Sequence, residues 1–101
     1  MGIHAQHNED KSIIIIDDNK LIGIEAEAFQ NLVQESIDKG NKNISIDLSK
    51  VEFISSWGIG LLVHAYTTCF NKNVKFSLQG VNAQVMNLLS QIKLTELFNI
   101  I

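Results

Sequence analysis

Two short apolar stretches, separated by a single helix's worth of chain, restrict what this sequence can fold into more than any other feature. Ile44 to Leu48 in "NISIDL" and Val74 to Leu78 in "VKFSL" are each too short for a helix and read as strands. The first is expected to be a strand buried on both faces. Between them lies one helical pattern. At about 100° per residue, Gly58, Leu61, Leu62, Ala65, Tyr66 and Cys69 share one apolar face, while Trp57, Gly60, His64 and Thr67 fall outside it. A strand, one crossover helix and a second strand favour parallel, right-handed pairing, so the two stretches are predicted to be neighbouring parallel strands.

The flanking chain extends this unit. "GIHAQH", the polar turn "NEDK" and the β-branched run "SIIIID" read as a hairpin over Gly2 to Asp17. A helix from about Ile24 carries Phe29, Leu32, Val33 and Ile37 at helical spacing and meets Gly40 where a left-handed cap belongs. After the last strand, Asn82 can cap a helix bearing Val85, Leu88, Leu89 and Ile92, and Thr95 can open a final turn through Phe98. The fold class is therefore α/β, a mixed β-sheet with an N-terminal antiparallel hairpin and the remaining strands parallel, packed with α-helices. No repeat, no linker composition and no proline divides residues 1–101, so one domain is expected across the chain.

Charge and composition narrow the functional classes. Eight Lys and Arg against eleven Asp and Glu give a net charge of -3, which offers no basic field for nucleic acid or an anionic membrane. The apolar runs are too short to insert in a bilayer, and a cytoplasmic location is expected. Cys69, the single cysteine, sits in the apolar helical repeat and reads as a buried thiol rather than a nucleophile. His4 and His7 are an odd number of residues apart and so face opposite sides of a strand, which disfavours a metal site.

The segment with a distinctive composition is "SKVEFISSWGIGLL", Ser49 to Leu62. A strand followed by a turn and "WGIG" entering a helix is the setting of a nucleotide loop, but Val63 stands where the third glycine is needed and Gln79 ends the next strand in place of an acidic ribose ligand. No lysine follows the glycines, and no Gly-x-Ser-x-Gly elbow is present. His64 has no acidic orienting partner with which to activate Ser56. No catalytic residue, cofactor or metal is expected. Ser55 or Ser56 can cap the helix, and the single tryptophan, Trp57, either folds over the loop after Asp17 or stands out as a contact residue.

The order of hairpin, helix, "ISIDLSKVEFISSWGIGLL", "VKFSLQGVN" and "LLSQIKLTELFNI" resembles the STAS domains of bacterial anti-sigma factor antagonists over nearly the whole chain, with Asp47, Leu48, Val51, Phe53, Gly58, Ile59 and Gly60 in matching places. The resemblance implies a non-enzymatic regulatory domain that sequesters an anti-sigma factor, itself a serine kinase, and so frees a sigma factor. It implies a docking surface of Ser55, Ser56, Trp57, Gly58, Gly60 and His64, with Gly23 and Ile24 in the neighbouring loop. In the family, the kinase phosphorylates the Ser or Thr just before the first glycine. Here that place is held by Trp57, and Ser55 replaces the Asp two residues earlier, so Ser56 or Ser55 is left as a displaced acceptor. The alternative implied by the family is an accessory or scaffold subunit of a lipid-transport ATPase or a signalling assembly.

Overall fold

The computed structural model describes residues 2–22 and 26–101. In chain order the elements are β1 (Gly2–Asn8), β2 (Lys11–Asp17), β3 (Lys20–Leu21), α1 (Ala26–Asp38), β4 (Asn43–Asp47), β5 (Phe53–Ile54), α2 (Ser56–Asn71), β6 (Lys75–Gln79) and α3 (Ala83–Gln91). The main sheet runs β1-β2-β4-β6, and β3 and β5 form a second sheet of two very short strands. The hairpin is antiparallel, while β2 with β4 and β4 with β6 are parallel. The predicted strand pair is therefore present, each strand shifted by one residue from its expected bounds.

The register decides which side chains the helices cover. Ile14 pairs with Ile46 and Ile46 with Leu78, so these residues share one face, and all three are fully buried. α1 and α2 pack side by side on that face and supply Phe29, Val33, Leu62 and Ala65 to the core. Each large apolar side chain buried there contributes roughly 1.5–3 kcal/mol. The opposite face of β4 is polar rather than apolar. Ser45 is nonetheless buried there, because its hydroxyl donates to Gln79 Oε1 across the strand pair at 2.9 Å. Burial on both sides therefore holds only at Ser45, since Asn43 and Asp47 on the same polar face are half-buried.

The ends of the helices follow local chemistry. α1 ends before Gly40, which adopts φ +85° as a left-handed cap requires. Asn82 is extended, and its Oδ1 accepts from the Val85 N–H at 2.8 Å to cap α3. Its Nδ2 donates to the Val51 carbonyl at 2.8 Å, tying α3 to the loop before β5. The closing segment forms a turn in which the Phe98 N–H donates to the Leu94 carbonyl. Beyond it, Ile100 makes a parallel bridge to Leu78, closing the outer edge of β6 at that point. No helix among the described residues is long and apolar enough to cross a membrane.

Candidate functional site

The start of α2 is fixed by a carbonyl from a distant part of the chain. Leu21, fully buried in β3, accepts at its carbonyl from the Ser55 N–H at 3.0 Å. Gly58, one turn into the helix, lies against the same carbonyl, and a Cβ there would strike the Leu21 oxygen. Gly58 is thus the residue that lets the helix begin directly beneath β3. Ser55 is the N-cap: its backbone is extended and its Oγ accepts from the Gly58 N–H at 3.2 Å. Ser56 opens the helix and is exposed.

Trp57 stands out from this start with 80 % of its surface exposed. The alternative in which it folds over the loop after Asp17 is therefore not the arrangement observed. With β3 packed against Gly58 and Leu21 filling the space over the helix start, the end of the sheet is already covered without the indole. One face of α2 carries Trp57, Gly60 and His64 outward. Together with Ala26 and Gln30 of α1, and with Leu61 and Ser56, they line an open hollow of about 430 Å³. A second hollow of about 240 Å³ continues between the helices, sharing Gln30 and His64 and adding Asn31, Gln34 and Thr68. Among the described residues, no Asp, Glu, Lys or Arg lines either one.

Gly60 differs from Gly58 in a way the sequence does not display. Among the described residues, an added Cβ at Gly60 would meet nothing within 4 Å. An exposed helical glycine costs about 0.5–1 kcal/mol relative to alanine, and no close packing against Gly60 offsets it. The contribution of α1 to the hollow was not anticipated either. Ala26 and Gln30 are four residues apart, which places them on one helix face, but which face of α1 meets α2 depends on tertiary packing. Phe53, 53 % exposed in β5, adds an apolar side chain near the helix start. Gly23 and Ile24, assigned to the docking loop, lie outside the described residues.

The remaining chemistry-bearing groups are separate from this region. Cys69 is fully buried, and desolvation pushes its thiol up to about 11, so it is held as the unreactive thiol. His7 Nδ1 lies 2.6 Å from Ser12 Oγ on the helix-covered side of the hairpin, whereas His4 pairs with Ile15 on the other. Among the described residues, no three His, Cys, Asp or Glu side chains gather closely enough to hold a metal ion.

The family described as STAS domain matches residues 3–101. Among solved structures, the chain is similar to a proposed anti-sigma factor antagonist from Thermotoga maritima at 27 % identity and a TM-score of 0.78, covering 97 % of this chain and 84 % of that one. It shares its fold with the phosphorylated form of the Bacillus cell-fate determinant SpoIIAA, at 13 % identity and a TM-score of 0.74 over 99 % of this chain and 91 % of that one. It also shares it with a sulfate transporter family protein from Wolinella succinogenes, at 17 % identity and a TM-score of 0.78 over 89 % and 72 %. No curated protein matches by sequence. The match from Ile3 to the last residue, on a mixed sheet of the expected topology, makes the chain a member of the STAS domain family.

Proposed function

We propose that this chain is a non-enzymatic, cytoplasmic regulatory domain that sequesters an anti-sigma factor through the start of α2, and that it does so without being switched at Trp57. The observation that carries this reading is the exposure of the indole, at the point where the family docks its kinase partner, beside a hollow lined by no Asp, Glu, Lys or Arg among the described residues. An indole has no hydroxyl to accept a phosphoryl group. A desolvated tryptophan at the centre of an interface is, by contrast, a frequent energetic anchor. The docking surface comprises Ser55, Ser56, Trp57, Gly58, Gly60 and His64. Gly58 acts by seating the helix, Ser55 by capping it, and the other four by contact.

Of the two serines, Ser56 is the better displaced acceptor, since the Ser55 hydroxyl already accepts from the Gly58 N–H. A phosphoryl group there would add nearly two negative charges beside the hollow and would disfavour a partner selected for the neutral form. The chain supplies no ATP site in this reading, so any kinase activity belongs to the partner.

The missing acceptor also favours a second reading, a permanent accessory or scaffold subunit of a transporter ATPase or signalling assembly, where no switch is needed. Affinity purification of the tagged protein from its native cell separates the two. Recovery of an ATP-binding serine kinase that retains binding to the purified chain supports the antagonist. Recovery of a transporter ATPase without such a kinase supports the accessory subunit and overturns the first reading.

A further inference from the structure

We infer that Gly60 is kept without a side chain by a partner rather than by the fold, and that the occupant of the hollow is one amphipathic helix of a partner protein, laid along α1 and α2 with an uncharged apolar face over Gly60. This rests on the docking reading above and says how that docking is achieved. Two glycines two residues apart, and so on different sides of α2, make the case. Gly58 is required internally, because a Cβ would strike the Leu21 carbonyl oxygen. Among the described residues nothing occupies the place of a Gly60 Cβ, so they give no reason in the isolated fold for its absence. What the bare position does provide is close approach: between Trp57 on the preceding turn and His64 on the following one, it leaves a dip in the helix surface.

The shape and charge of the surroundings select the occupant. The two hollows share Gln30 and His64 and form one groove between α1 and α2. From Trp57 to Thr68 it follows α2 for about 16 Å, the length of three helical turns. The chain carries eight basic and eleven acidic residues, yet among the described residues none of them lines the groove. Charge depletion at the centre with neutral polar groups at one end is the composition of a protein interface, and it mismatches a charged peptide or an anionic ligand. A partner helix brings its backbone close most readily over a small residue, and Gly60 offers the smallest.

The test has one arm without a partner and one with it. In urea, Gly60→Ala is expected to unfold at a higher midpoint than the wild type; a lower midpoint shows that the fold holds the glycine and overturns the inference. The anti-sigma serine kinases encoded in the same genome are then purified and titrated by calorimetry against wild type, Trp57→Ala, Gly60→Ala and Gly60→Leu. The expected result is a tenfold or greater loss of affinity for Gly60→Leu, a smaller loss for Gly60→Ala, and hydrogen-exchange protection of one helix in the bound kinase. If Trp57→Ala weakens binding while both Gly60 variants bind as the wild type does, the inference falls and the docking reading stands. Binding of no kinase by the wild type overturns both. Self-association of the wild type that is broken by Gly60→Leu assigns the groove to a second copy, which also overturns it.

Discussion

The two faces of α2 obey different rules. On the inner face, Gly58, Leu61, Leu62, Ala65 and Cys69 are buried against the sheet, and each position is set by what it touches. On the outer face, Trp57 is 80 % exposed, Gly60 would accept a side chain without contact among the described residues, and His64 lines open space. The inner face is explained by the fold alone. The outer face contradicts what stability alone would select, since it exposes a large aromatic ring and places glycine in a helix where alanine is better. This contrast is what the proposed docking surface on the outer face would require.

Substitutions can break or sharpen this contrast. Leu62→Ala, at a fully buried position, is expected to lower the unfolding free energy by about 2–5 kcal/mol in urea titration. Gly58→Ala comes next, at about 1–3 kcal/mol, because backbone at Leu21 must move to admit the methyl group. On the outer face, Trp57→Ala is expected to leave unfolding nearly unchanged while weakening partner binding by about 1 kcal/mol or more. Thr67→Ala, exposed on the same helix, should alter stability by less than about 0.5 kcal/mol. Equal destabilisation by Leu62→Ala and Thr67→Ala would show that the faces are not distinct.

The smallest effect lies far from the helix. Lys50 Nζ is 2.9 Å from Asp17 Oδ1, and this hydrogen-bonded pair holds the Asp17 carboxyl below its ordinary value. The depressed folded value contributes stability above the ordinary carboxylate range, and that contribution is lost as pH falls through it. The pair is exposed, so Lys50→Ala should produce only a slight loss at neutral pH that vanishes in acid, read from thermal unfolding across pH. Cys69 supplies a separate check on the inner face. With its thiol raised to about 11, it should resist alkylation at pH 8 until the protein unfolds.

The same contrast explains what was legible in the sequence. Inner-face residues of α2 were readable because helical periodicity reports a buried stripe directly, and the parallel pair β4-β6 followed from one intervening helix. The four isoleucines from Ile13 to Ile16 announced a strand but concealed its faces; only pairing with β4 shows Ile14 and Ile16 buried and Ile13 and Ile15 half-covered. β3 and β5 have two residues each, too few for any periodic signal, and they pair only because the chain returns there. At the site, Ser55, Ser56 and Trp57 drew attention through residue type. The opposite roles of Gly58 and Gly60 did not, because one depends on the Leu21 carbonyl and the other on empty space. Ala26 and Gln30 were likewise hidden, since their part in the groove is created by how α1 meets α2.

The most direct test of an unswitched docking surface is the intact mass of the protein after incubation with its anti-sigma kinase and ATP, for wild type and Trp57→Ser in parallel. The account predicts an unchanged mass for the wild type, stable binding in the presence of ATP, and an added phosphate only in Trp57→Ser. A stoichiometric phosphate on wild-type Ser56 would contradict it, because the switch would then have moved by one residue rather than been lost.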